Sequence, residues 1–391
     1  MRQFEAIQIY LYQLVHEKEH GIFGKLVLAV LQLFSWCYGA GVCCKLLLYR
    51  CGIFRQHRLP CTVISLGNIT VGGTGKTPTA QVLAALIRDM GCRVVILNRG
   101  YRAKWREPIG LVSDGQRIYM SAAEAGDEAF LLAKNVPGVA VVVGKDRSLT
   151  GQYAVQKLNA DVIILDDGYQ HWQLARDLDI VLIDTLNGFG NHFLLPRGTL
   201  REPLENLNRA QLFLLTKVDQ SPDNTRDQIR EVLQRYNQTA LIVESVHKPL
   251  RCIELEDWDK GLRAKAFTLE TMHGKKVLAF SAIGNPSSFE QTLQHIGTTV
   301  AVSKRYPDHH DYTMAEMQAA METAVQESVD ALVTTEKDAV KIPAEFIYSD
   351  RPLPVYIIGI EVEITGGSRE FMELVRTVSC KKNSSQTGGK Q

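Results

Sequence analysis

The segment Gly67–Asn68–Ile69–Thr70–Val71–Gly72–Gly73–Thr74–Gly75–Lys76–Thr77 constrains the fold of this chain more than any other. A short β-rich run, Thr62–Leu66, leads into it, and Thr77–Met90 reads as the helix that follows. Strand, glycine-rich turn, Lys-Thr and helix in that order are the setting of a phosphate-binding loop. The glycines let backbone N–H groups turn inward around phosphate oxygens, and the helix N-terminus adds the positive end of its dipole. In such a turn Lys76 reaches the β- and γ-phosphates and the Thr77 hydroxyl ligates Mg²⁺. The expected cradle for ATP comprises Thr70, Val71, Gly72, Gly73, Thr74, Gly75, Lys76 and Thr77. One position departs from the common pattern, which asks for glycine five residues before Gly75, where this chain has Thr70.

Beyond Pro60 apolar runs alternate with helical periods. Arg93–Leu97, Val139–Val143, Val162–Leu165, Ile180–Ile183, Leu212–Leu215 and Ala240–Glu244 read as strands; Ala122–Lys134 and Asp146–Leu158 read as helices. Continuous Val/Ile/Leu runs separated by helices predict an α/β fold, a doubly wound and mostly parallel sheet of the P-loop NTPase kind. Asp161–Val162–Ile163–Ile164–Leu165–Asp166–Asp167 places two acids at a strand end, beside the crevice where such sheets bind ligands, and one of them is expected to hold Mg²⁺. Asp219–Asp227 reads as a polar stretch and 246–275 as irregular. Val277–Phe280, a helix after Asn285–Pro286, Met314–Val325, Ala331–Val333 and Val355–Ile358 then suggest a second, smaller α/β domain. The expected division is 1–57, an N-terminal membrane-associated helical segment; 58–245, the P-loop domain; 246–379, the smaller domain; and 380–391, a disordered tail.

The membrane expectation rests on Leu26–Cys44, a 19-residue stretch with only Gln32 and Ser35 clearly polar. As a helix it is roughly 28 Å long, close to a bilayer core. Spanning, lying in the interface and serving as a core helix all remain open from the sequence. The basic cluster Lys45, Arg50, Arg55, His57 and Arg58 suits anionic head groups or an anionic substrate. A formal net charge of +1 gives no bulk signal for nucleic acid, and neither that nor a required protein partner is expected. The eight cysteines have no zinc-type spacing and read as reduced, mostly buried thiols.

Several strings occur in one order: Gly67–Pro78, Arg99–Gly100–Tyr101, Gly126–Asp127–Glu128, Asp166–Asp167–Gly168–Tyr169–Gln170–His171, Arg176–Asp177–Leu178–Asp179, Leu194–Pro203 and Asp308–His309–His310–Asp311–Tyr312. Together, over about residues 45–340, they resemble the lipid A 4′-kinases (tetraacyldisaccharide 4′-kinases). Thr70 fits the resemblance, since Ser or Thr commonly stands there; Trp172 and Arg197 depart from it, where family members often have Arg and Ala. The resemblance implies transfer of the ATP γ-phosphoryl group to the 4′-hydroxyl of a tetraacylated glucosamine disaccharide 1-phosphate, a lipid substrate met at the membrane. The expected location is therefore the cytoplasmic face of the bacterial inner membrane. It further implies Asp127 as base with His309 as its partner, and Glu128 facing the Mg²⁺ shell. Lys76 and Arg201 would neutralise charge on the phosphoryl group, although Arg201 is equally suited to a substrate phosphate or to pairing with Glu202. Tyr101 is expected to stack on adenine or to pack as a loop tyrosine. His171 is expected near the phosphates or as a satisfied structural histidine. The rival reading is a GTPase or MinD-like ATPase switch, suggested by Thr216–Lys217–Val218–Asp219, which resembles a guanine-reading element.

Overall fold

The computed structural model describes residues 21–380. Residues 1–20 and the tail expected over 381–391 lie outside the described residues. Twelve strands form one sheet, in the order Thr299–Arg305, Lys276–Ser281, Ala331–Thr335, Val355–Gly366, Leu241–Glu254, Leu212–Thr216, Leu178–Asp184, Thr62–Asn68, Val162–Asp166, Val94–Asn98, Ala140–Val143 and Gly110–Ser113. The chain enters through a long helix, α1 (Ile22–Arg50). The P-loop half then runs β1 (Thr62–Asn68), α2 (Lys76–Asp89), β2 (Val94–Asn98), β3 (Gly110–Ser113), α3 (Ala122–Ala125), α4 (Asp127–Asn135), β4 (Ala140–Val143), α5 (Arg147–Leu158), β5 (Val162–Asp166), β6 (Leu178–Asp184), β7 (Leu212–Thr216), α6 (Asp223–Tyr236) and β8 (Leu241–Glu254). The remainder supplies β9 (Lys276–Ser281), α7 (Pro286–His295), β10 (Thr299–Arg305), α8 (Met314–Gln326), β11 (Ala331–Thr335), β12 (Val355–Gly366) and α9 (Ser368–Cys380).

Every pairing is parallel except β3 on β4 and β8 on β12. Strands β1, β2, β4, β5, β6 and β7 are buried along their whole length, as their largely apolar sequences require of a sheet covered on both faces. The antiparallel β8–β12 ribbon decides the shape of the cleft. β8 pairs with β7 only through Leu241–Glu244, at its start, whereas β12 pairs with β11 through Val355–Ile358, opposite the far end of β8. The two halves therefore sit at opposite ends of the ribbon and run in opposite directions. Their strand carboxyl ends, where α/β sheets gather ligand chemistry, point toward each other across its middle.

Several elements differ from the sequence expectations. β8 continues to Glu254, into the stretch expected as irregular, and position 245/246 lies inside it. Its burial is mixed because it leaves one half of the sheet and joins the other. α6 begins inside the polar stretch and packs Ile229, Val232, Leu233 and Tyr236 against the sheet, an apolar stripe at helical spacing that the sequence reading passed over. The edge strands β3 and β10 and the helix α9 were not anticipated. α9 carries Phe371, Val375 and Val378 back onto the P-loop half, into one core with Leu83 and Ile87. The helix expected over Ala122–Lys134 breaks at Gly126, whose φ is +87°. α1 is not a core helix: only Gly24, Ser35, Gly39 and Leu46 are buried, while Leu26, Phe34 and Trp36 lie open. For the same reason Cys37, Cys43, Cys44 and Cys51 are exposed rather than buried, and no disulfide forms among the described residues.

Candidate active site

The turn after β1 carries Gly72 at φ +119° and Gly75 at φ +83°, conformations that side chains resist. Gly75 caps α2 with no side-chain hydrogen bond, leaving the first amides of the helix aimed outward for an anion. A Cβ on Gly75 would stand 2.7 Å from the His247 Nε2. The loop is braced from below by the end of β7. Thr216 Oγ1 donates to the Thr74 carbonyl at 3.2 Å. Lys217 Nζ donates to the Gly73 carbonyl at 3.2 Å and to Asp184 Oδ2 at 2.8 Å. The string that resembles a guanine reader thus spends its lysine on the loop itself. Gly72 through Thr77 line a cavity of about 600 Å³ between the two halves. Thr70 and Val71 do not: Thr70 bridges to Leu200, and the Val71 N–H donates to the Thr199 carbonyl at 2.8 Å.

Asp166 and Asp167 end β5 beside the loop. Asp166 Oδ2 accepts from Asn98 Nδ2 at 2.7 Å, whereas its buried Oδ1 has no partner among the described residues. Burial, followed by the nearby Glu128 and Asp167 carboxylates, pushes Asp166 up to about 7. Asp167, at φ +52°, accepts from one Arg201 nitrogen at 2.9 Å on both oxygens, and Lys76 Nζ lies 3.8 Å away. Burial opposes its ionisation, but Lys76 and Arg201 outweigh that and hold the carboxyl below its ordinary value.

Asp127 and Glu128 owe their direction to the break at Gly126. A Cβ there would meet the Tyr101 carbonyl at 2.7 Å, so only glycine lets the chain stop α3 and restart α4 with both acids in the first turn. Acids are favoured at that end by the helix dipole. His309, itself at φ +62°, arrives on the loop after β10, and its Nδ1 lies 2.9 Å from Asp127 Oδ2. Lys337, from the turn after β11, stands 3.3 Å from His309 Nε2 and 3.2 Å from Asp308 Oδ1. A lysine can only donate, so Nε2 accepts and Nδ1–H donates to Asp127. Desolvation works against the Asp127 charge, yet His309, Lys337 and Lys341 together bring its carboxyl below the usual value. The Arg102 guanidinium donates to the His309 carbonyl at 2.6 Å, a further tie across the cleft.

Lys76, Thr77, Tyr101, Glu128, Asp166, Asp167, Arg201 and His309 all lie along the wall of this cavity, and Asp127 stands behind His309. Tyr101 lies against the His309 ring, with centroids 5.2 Å apart. His171 is absent from that wall. Burial, then Arg147 and Arg176, drives its imidazole down to about 4, and its Nε2 is enclosed without a partner among the described residues. Sequence reasoning took Lys217 only as part of a guanine-reading string and passed over Asn98, His247 and Lys337. The last follows Thr334–Thr335 at the carboxyl end of a parallel strand, the one signal that could have drawn attention to it.

A phosphate cradle that faces a carboxylate–imidazole pair across a cleft is what group transfer needs and what a nucleotide switch does not. The molecule is a P-loop phosphotransferase. A family model described as Tetraacyldisaccharide-1-P 4'-kinase matches residues 27–379, and the chain belongs to that family. It is 39% identical over 342 residues to the tetraacyldisaccharide 4'-kinase of Syntrophus aciditrophicus, covering 86% of this chain and 89% of that one. Its identity to the Halothermothrix orenii protein of the same name is 36% over 368 residues, covering 93% and 96%. A crystal structure of LpxK from Aquifex aeolicus in complex with ATP superposes with a TM-score of 0.71 at 29% identity, covering 90% of this chain and 99% of that one. The family assignment replaces the switch reading: this is a lipid kinase of lipid A synthesis.

Proposed function

We propose that the enzyme transfers the γ-phosphoryl group of ATP to the 4′-hydroxyl of a tetraacylated glucosamine disaccharide 1-phosphate, with Asp127 as the base. The observation that carries this reading is the 2.9 Å contact between Asp127 and His309 at a cavity whose opposite wall is the phosphate cradle. ATP lies with its phosphates on Gly72–Thr77. As the sugar oxygen attacks the γ-phosphorus, its proton passes to the Asp127 carboxylate. The bond from the γ-phosphorus to the β,γ-bridging oxygen breaks, and ADP leaves. The depressed pKa of Asp127 keeps it ionised before the step, and His309 Nδ1–H holds it in orientation. Lys76 and Arg201 oppose the charge on the phosphoryl oxygens in flight.

Glu128, Asp166 and Asp167, with the Thr77 hydroxyl, fit Mg²⁺. The orphaned Asp166 oxygen and the mutual crowding of the carboxylates are relieved by a hard cation. Among the described residues no group of three or more His, Cys, Asp or Glu side chains could hold a metal ion by itself; Mg²⁺ ordinarily keeps water and phosphate oxygens among its ligands. When bound, Mg²⁺ supplies charge neutralisation on the β- and γ-phosphates.

A second reading takes His309 Nε2 as the base and Asp127 as its orienter, since the ring rather than the carboxylate borders the cavity. The Lys337 ammonium 3.3 Å from Nε2 counts against it. The open apolar faces of α1 and the basic residues after it support docking on the cytoplasmic face of the bacterial inner membrane. The test is incubation of the full chain with ATP, Mg²⁺ and detergent-dispersed disaccharide 1-phosphate, read by mass spectrometry. One added phosphate on the distal sugar is expected. ATP consumption with an unmodified lipid would overturn the assignment.

A further inference from the structure

α1 is amphipathic in an inverted sense. Its outward faces carry Leu26, Leu33, Phe34 and Trp36, while of the residues it buries Gly24, Ser35 and Gly39 are small and only Leu46 is a large apolar side chain. A helix that served only as an apolar anchor has no need of Gln32, Ser35 and Tyr38 at helical spacing along one side. Each of them is engaged, and all with one segment, residues 193–201. Ser35 Oγ donates to the Leu194 carbonyl at 2.7 Å and accepts from the Arg197 N–H at 3.1 Å. The hydroxyl, almost wholly buried, thereby satisfies both its donor and an acceptor position. Gln32 hydrogen-bonds the Arg197 guanidinium, and Tyr38 OH donates to the Arg201 carbonyl at 2.8 Å. Gly39 lets Leu194 lie against the helix axis: a Cβ there would stand 2.8 Å from Leu194 Cδ1.

The other edge of the segment is zipped onto the approach to the phosphate loop. The Val71 N–H donates to the Thr199 carbonyl and the Arg201 N–H to the Ile69 carbonyl, both at 2.8 Å. At its end the Arg201 guanidinium holds both Asp167 oxygens at 2.9 Å. The chain of contacts thus runs without interruption from an apolar helix to a charge in the transfer site. We propose that α1 is a positioning element for phosphoryl transfer: through Ser35, Tyr38 and Gly39 it fixes the 193–201 segment, and so sets the Arg201 guanidinium against Asp167. Ser35, Tyr38 and Gly39 are not among the residues that line the cavity, and they act through Arg201. The inference rests on the role given above to Arg201. Its consequence is that the apolar helix and the transfer site form one mechanical unit.

The experiment is a kinetic double-mutant cycle in the full chain, with Tyr38→Phe, Gly39→Leu and Arg201→Ala singly and each of the first two combined with the third. Activity is read on detergent-dispersed disaccharide 1-phosphate, together with MgATP affinity and flotation on phospholipid vesicles. Tyr38→Phe is expected to lower kcat roughly fivefold, the size of one hydrogen bond. Gly39→Leu should lower it roughly tenfold or more, with MgATP affinity and flotation unchanged in both. In the Arg201→Ala background neither substitution should lower kcat further. Losses that persist in that background, or that fall on KM for the lipid or on flotation instead of kcat, overturn the proposal. Should Arg201→Ala lower kcat while Tyr38→Phe and Gly39→Leu do not, the coupling alone fails. If Arg201→Ala leaves kcat intact, the role of Arg201 fails and this inference with it. Tyr38→Phe, which removes a single oxygen, keeps the test open if the bulkier variant does not fold.

Discussion

The phosphate cradle and the Asp127–His309 pair stand on opposite walls of one cavity but are assembled in different ways. The cradle is a run of consecutive residues between β1 and α2, held by its own glycines and by Thr216 and Lys217 beneath it. The pair joins residues 182 positions apart, one from each half of the sheet, and is tied by Arg102, Lys337 and the β8–β12 ribbon. A locally built feature keeps its shape when the halves shift; a feature built across the cleft does not. Donor binding should therefore survive damage that stops transfer.

The largest expected effect isolates the acceptor side. Asp127→Ala should lower kcat about 10³-fold, within the range for a lost general base, and leave ATP affinity nearly unchanged. Steady-state kinetics beside calorimetric titration of ATP would check both halves of that statement. Wild-type turnover would remove Asp127 from the mechanism. Gly75→Ala attacks the donor side and should do the reverse. It combines a φ of +83° with a Cβ 2.7 Å from His247, so ATP affinity should fall roughly 50-fold, about 2.3 kcal/mol. Gly126→Ala returns to the acceptor side without removing any catalytic atom. Its strain at φ +87° turns Asp127 and Glu128 away, and kcat should drop about 30-fold with ATP binding retained. If Gly126→Ala and Gly75→Ala impair the same parameter, the contrast between local and assembled walls is wrong.

The same contrast explains what the sequence made legible. Much of what depends on neighbours in the chain was readable, although the amphipathic periods of α6 and α9 were passed over. The P-loop, the acids closing β5 and the parallel Val/Ile/Leu strands follow from spacing and composition. What depends on distant packing was hidden. β8 looked finished at Glu244 because its second partner, β12, lies more than a hundred residues on. Ala122–Lys134 kept helical period through Gly126, and only contact with the Tyr101 carbonyl shows why the helix must break there. The role of His309 came from resemblance, since no local pattern joins it to Asp127. Tyr101 lies against His309, and His171 lies off the cavity wall, because each is placed by tertiary contacts rather than by the string it belongs to.

The smallest prediction concerns pH and again separates the two walls. His247 lies under the cradle, where burial and then Lys217 push its imidazole from 6.5 down to about 3; His171 falls from 6.5 to about 4. Both are neutral in the folded and unfolded chain above pH 7, so neither affects stability there. Below 6.5 the unfolded chain takes up protons that the folded one refuses, and stability must fall as pH falls. At pH 5.5 each imidazole costs about 1.4 kcal/mol relative to neutral pH. Asp127 has the opposite tendency: its depressed carboxyl remains ionised well below that pH, so the acceptor wall gives no early signal. Urea unfolding at pH 7.5 and 5.5 should show the loss in wild type, and His247→Asn should retain only the His171 share. An undiminished loss in His247→Asn would mean that the imidazole under the cradle accepts a proton while folded, and the donor wall would then be wetter than its packing implies.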